Sequence, residues 1–160
     1  MAKAKPIRGL GPDIPMRDAA ARTIEVRAKE VFSFADRVLD TTDIERVHDM
    51  RVATRRLRAA LEVFEVCFPK REHKRALRDV KRLADALGVR RDPDVALAAV
   101  ERIAQGVDAA DRPGIESFEG ELRADQTAGN STVATALAEA IESQLESRLL
   151  TLAAEARVPA

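Results

Sequence analysis

The sequence predicts an all-α protein, an antiparallel bundle of four to six helices. Three observations carry this. Ala, Leu, Arg and Glu dominate the chain, and all four are good helix formers. There is no Trp or Tyr and only five Phe, which leaves little of the aromatic material that β-sheets favour. Apolar residues recur at three- and four-residue steps, and the connections between these runs are short, as between antiparallel neighbours in a bundle. With 160 residues, 46% of them apolar and 34% charged, the chain can close one modest core and does not fall in the disordered class.

Residues 1–16 hold Pro6, Pro12, Pro15, Gly9 and Gly11 and read as an extended arm. Residues 17–156 read as a single bundle and 157–160 as a C-terminal tail. A first helix is expected from about Arg17 to Asp40, on a stripe of Ile24, Ala28, Val31, Ala35 and Val38. Thr42 or Asp43 can cap a second, Ile44 to Phe68, whose seam is Met50, Ala53, Leu57, Leu61, Phe64 and Phe68. Pro69 ends it. A third is expected from Lys70 to Leu87, with Gly88 as its C-terminal cap. Asp92 then suits an N-cap, Pro93 the first helical position and Asp94 the positive end of a helix dipole. A fourth helix is therefore expected from Pro93 to Gln105, with a loop over 106–114. Residues 115–156 are helical by composition, weakened at Gly129-Asn130-Ser131. They form either one kinked helix or two helices broken between 127 and 147.

A single cysteine, Cys67, excludes an internal disulfide and a Cys-based zinc site; it is expected to pack near the bundle. No run approaches 18 apolar residues, so no membrane span is expected. The N-terminus has lysines without an apolar segment after them, which argues for a cytoplasmic protein. Net charge is zero but unevenly placed. Residues 1–91 carry 22 Lys and Arg against 14 Asp and Glu, a net of +8, and residues 92–160 carry 5 against 13, a net of −8. Either the first half presents a basic face to an anionic partner, or the two halves attract each other within the fold.

The basic residues have a pattern. On the second helix His48, Arg51, Arg55 and Arg58 lie within about 80° of one another, in a stripe roughly 15 Å long. Arg56 sits apart from them. Like charges at i and i+4 repel by a few tenths of a kcal/mol, so the stripe calls for a reason beyond solubility. Arginine suits phosphate because its planar fork donates two parallel hydrogen bonds. On the third helix Lys74, Arg78 and Lys81 repeat the pattern, flanked by Arg71 and Arg82. If these helices pack antiparallel, the two stripes can line one groove. A solvated face is the plain alternative for each.

No catalytic constellation, Gly-rich phosphate cradle, acidic metal cluster or cofactor motif stands out, so neither catalysis nor a cofactor or metal is expected. His73 is expected to be structural. Nucleic acid is the rival anion, but single-strand binders interleave aromatics with cations, and here the phenylalanines fall on the apolar seams. An adaptor docking its basic half on an acidic protein is the other rival. A second apolar stripe on the second helix, Val52, Ala59, Val63 and Val66, suits either a dimer contact or cover by other helices.

Residues 47–68, VHDMRVATRRLRAALEVFEVCF, resemble the signature of the CHAD family, the conserved-histidine α-helical domain: a His, an Arg three on, then an R-R-x-R cluster on a Leu/Phe seam. The segment LADALGVRRDPDV, 83–95, resembles the family's second element, an L-G-x-x-R-D-x-D-V turn. The resemblance implies an all-helical fold that binds inorganic polyphosphate on a basic surface, is not an enzyme in itself, and in some members associates with storage granules. Carried over by position, His48 matches the family histidine and Arg51, Arg55, Arg56 and Arg58 its arginines. Arg91, Asp92 and Asp94 match the second element, with Arg91 assigned to binding and the aspartates to structure. A typical member has two similar bundles, the second with its own basic helix. This chain corresponds to one of them, which implies a homodimer or association with a second bundle of the same kind.

Overall fold

The computed structural model describes residues 3–157. The described residues form five α-helices, α1 (Met16–Phe32), α2 (Ile44–Val63), α3 (Lys70–Ala104), α4 (Arg112–Glu142) and α5 (Leu145–Ala156), with a 3-10 turn at Glu65–Cys67 between α2 and α3. No strand occurs among the described residues. The α2 and α3 helices are antiparallel, since Leu61 meets His73 while Ile44 meets Arg91. So are α3 and α4, with Arg82 beside Glu139 and Asp94 beside Gln126. The core lies among α1, α2, α5, the first half of α3 and the second half of α4, with Ile24, Met50, Leu57, Leu87, Val133 and Leu149 fully buried. Beyond Pro93 the α3–α4 pair buries little besides Leu97 and Leu122.

The arm lies against α1: the Lys5 N–H donates to Glu30 at 2.9 Å and Arg22 to the Arg8 carbonyl at 3.4 Å. The tail beyond Arg157 lies outside the described residues. α1 stops at Phe32 rather than Asp40; residues 33–40 are turns, with Arg37 left-handed at φ 60°, although Val38 still reaches the core. α2 stops at Val63, and the 3-10 turn that follows lets Cys67 and Phe68 fold inward. Cys67 is buried, as expected. His73 is structural, also as expected. It is buried, 2.9 Å from the Leu61 carbonyl, and stacks on Phe68.

The main correction concerns the expected third and fourth helices, which are one helix of 35 residues. Gly88 caps nothing and Asp92 and Pro93 start nothing; both Gly88 and Pro93 lie inside α3. Proline there removes the N–H that would donate to the Val89 carbonyl, at a cost of about 3 kcal/mol in an ordinary helix. Packing across α4 overrides this. Arg90 and Asp94 bridge the proline as a fully buried ion pair. Arg90 also donates to Asn130 at 2.8 Å and Gln126 donates to Asp94 at 2.7 Å. Asn130 in turn donates to the Leu39 carbonyl at 2.8 Å, which ties down the α1–α2 connection. Gly129 makes the crossing possible: a Cβ there would stand 2.9 Å from the Arg90 Cα and 3.3 Å from the Val89 carbonyl. The Gly-Asn-Ser stretch therefore does not break the helix but seats α4 on α3. The break comes at Ser143–Gln144, where Gln144 is left-handed at φ 53°, so residues 115–156 form two helices.

Candidate functional site

The α2 stripe lies on the side of its helix that faces α3. Arg58 donates to Glu62 one turn on, at 3.0 Å, and Lys81 of α3 reaches the same carboxylate at 3.4 Å. Glu62 thus pins the two basic stripes together. Arg58, with help from Lys81, holds the Glu62 carboxyl below the usual carboxylate range. Lys74 stands two turns before Lys81 in nearly the same helical phase, with Arg78 between them. Helical phase adds Arg51 and Arg55 to Arg58 on this side of α2 and Lys74 to Lys81 on α3, with His48 half-buried at the end of the α2 stripe; Arg78 turns further round α3, where it lines one cleft with Arg71, Lys74 and Arg75 and another beside Glu139 of α4.

Charge balance within this groove is incomplete. Arg58 and Lys81 share one carboxylate, and Arg78 pairs with its neighbour Asp79 at 3.1 Å. Arg51, Arg55 and Lys74 pair with no carboxylate among the described residues. Nor do the two halves of the chain cancel each other's charge. Among the described residues Asp94 and Glu139 are the second-half carboxylates that pair with first-half cations. Lys70 and Arg71 also stand in the first turn of α3, at the positive end of its dipole, where each cation is unfavourable by about 0.3–1 kcal/mol and Glu72 offsets part of this.

Three expected binding residues fall elsewhere. Arg56 turns to the other side of α2, 3.6 Å from the buried Glu30 of α1, which also accepts from Arg27 and the Lys5 N–H. Arg82 crosses to α4 and pairs with Glu139 at 2.6 Å. Arg91 is largely buried at the α2–α3 joint, 3.5 Å from the Ile44 carbonyl and 3.9 Å from Asp94. The structural assignment of Asp94 agrees with its place in the ion pair, whereas Asp92 is exposed. Arg90, which was not among the expected site residues, is the buried centre of that element. Its signal was available: Leu83, Leu87, Arg90, Asp94 and Leu97 continue one seam without interruption.

A second omission lies beside His48. Glu45, His48 and Asp49, at i, i+3 and i+4, bring two carboxylate oxygens and an imidazole nitrogen within 4.8 Å of one another. That donor set suits a divalent cation, and the E-x-x-H-D spacing was its signal.

What these features define is a helical bundle whose α2 and α3 helices carry arginines and lysines only partly matched by carboxylates among the described residues. A family profile, the CHAD domain, matches residues 22–160, and the chain belongs to that family. The family is associated with polyphosphate-related proteins. Neither the curated proteins nor the solved structures yield a significant match. Among the described residues, no helix is long and apolar enough to cross a membrane.

Proposed function

We propose that the protein binds inorganic polyphosphate in the α2–α3 groove by charge-assisted hydrogen bonds, without turning it over. The observation that carries this is the pairing of two basic stripes across Glu62 with Arg51, Arg55 and Lys74 left unneutralised. A phosphate chain supplies closely spaced anionic oxygens that guanidinium forks bind in pairs. Nucleic acid fits less well. Phe68 is buried and Phe64 half-buried, and Phe118 stands on the far half of α4, so the groove offers no base a stacking surface. An acidic protein docking on the same face is the remaining reading. A cytoplasmic or granule-associated location is part of the same proposal. The test is displacement: RNA at equal phosphate concentration is expected to remove bound long-chain polyphosphate poorly. Equal displacement would reduce the protein to a general polyanion binder.

Self-association through α2, with a second copy or a second bundle of the same kind, is part of this proposal. Val63 at the end of α2 and Val66 in the 3-10 turn support it, being 67% and 77% exposed, with Ala59 exposed as well; Val52, the other member of the expected stripe, is half-buried. Light scattering is expected to give a dimer mass that Val63→Glu/Val66→Glu returns to the monomer. A strict monomer at high concentration would overturn it.

A further inference from the structure

The basic surface does not end at the groove. Arg71 and Arg75, on the exposed face of α3, pair with no carboxylate among the described residues. A cleft of about 630 Å³ is lined by Arg71, Lys74, Arg75 and Arg78 alone. Arg75 also lines two clefts on the opposite flank of α3. One, of about 390 Å³, runs along the end of α4 past Ala136, Glu139 and Ser143. The other, of about 310 Å³, runs along α5 past Arg148, Thr151 and Leu152. Six residues separate Arg75 from Lys81, which sets them about 120° apart around the helix, with Arg78 midway.

Nearby carboxylates do not cancel this flank. Glu139 is held by Arg82 at 2.6 Å, and Asp79 by Arg148 at 2.7 Å and by Arg78. Burial pushes the Asp79 carboxyl up, yet those two arginines outweigh it and keep it ionised and engaged. Glu72, Glu142 and Glu155 stand on the rims of the flanking clefts, not in the cleft that cations alone line.

We propose that Arg71 and Arg75 form a second anion-binding lobe on the α5 flank of α3, so that a polyphosphate long enough to cross α3 by way of Arg78 engages both lobes, whereas a short one engages only one at a time. The inference rests on the polyphosphate reading of the groove. It adds a chain-length selectivity to it. From the α2 stripe to Arg71 is roughly 20 Å, one interhelix spacing plus the arc around α3. Tripolyphosphate cannot span that. A long chain can, and its second contact is made at the high effective concentration that the first one creates.

The experiment titrates the full chain, wild type and Arg71→Glu/Arg75→Glu, with tripolyphosphate and with long-chain polyphosphate. Circular dichroism checks the fold. The double variant is expected to weaken long-chain binding tenfold or more and tripolyphosphate binding by no more than about twofold, the loss of one of two independent sites. Arg71→Gln/Arg75→Gln should keep that order at smaller amplitude and serves if the reversal disturbs folding. Equal weakening for both ligands, or unchanged long-chain affinity, would overturn the second lobe while leaving the groove intact. Failure of the wild type to bind either ligand would overturn the polyphosphate reading itself, and this inference with it.

Discussion

Reversing Arg51 and Arg55 together to Glu is expected to weaken long-chain polyphosphate binding by about 100-fold or more. Each arginine contributes charge-assisted hydrogen bonds of about 1.5–3 kcal/mol, and reversal replaces attraction with repulsion. The salt dependence of affinity should flatten as well, because fewer phosphates release counterions on binding. Stability should not fall. Neither side chain has a carboxylate partner among the described residues, and the change only exchanges one like-charge i, i+4 pair for another, each unfavourable by a few tenths of a kcal/mol. Arg56→Glu makes the contrasting control. It sets a carboxylate beside the buried Glu30 and should lower the melting temperature without acting on the groove. Full affinity in a folded Arg51→Glu/Arg55→Glu protein would remove the stripe from the account.

The second large effect belongs to the α3–α4 crossing. Asp94→Ala is expected to destabilise the fold by about 3–5 kcal/mol, because it leaves the Arg90 guanidinium buried beside Pro93 with its charge uncompensated. Against a total stability of about 5–15 kcal/mol this is a large share, and it corresponds to a fall of roughly 10 °C in Tm. Replacing the pair together, Arg90→Met with Asp94→Leu, should cost far less, since no charge is then left without a partner. Calorimetry separates the two cases. Protein that remains folded in the Asp94→Ala variant at low temperature should still bind polyphosphate, since Asp94 lies outside the groove. A variant as stable as wild type would show that the ion pair does not hold the crossing together.

The all-helical bundle was legible from composition and periodicity, because the seams of α1 and α2 follow from local spacing alone. The α3 helix was misread at Asp92-Pro93-Asp94. Those residues carry strong local chemistry for starting a helix, and what overrides them is distant: Gly129, Asn130 and Gln126, about 30 to 40 residues away on α4. Turn chemistry can be read from neighbours, whereas a proline stapled into a helix by a buried ion pair requires knowledge of what packs against it.

The candidate site divides along the same line. Arg51, Arg55 and Arg58 could be grouped by helical phase, and so could Lys74, Arg78 and Lys81. That Glu62 would join the two groups required the antiparallel packing of α2 and α3. Phase already set Arg56 apart, and its contact with Glu30 of α1 gives the reason. Arg82 could not be separated from Lys81 by sequence, because adjacent residues on one helix reach different neighbours once α2 and α4 flank it.

The central claim is that the α2–α3 groove holds a phosphate chain. Its most direct test is calorimetric titration of the full chain with long-chain polyphosphate at several salt concentrations. The account predicts tight binding whose logarithm falls linearly and steeply with the logarithm of salt, reporting several phosphates neutralised together. Binding that is absent at low salt, or indifferent to salt where it occurs, would contradict it.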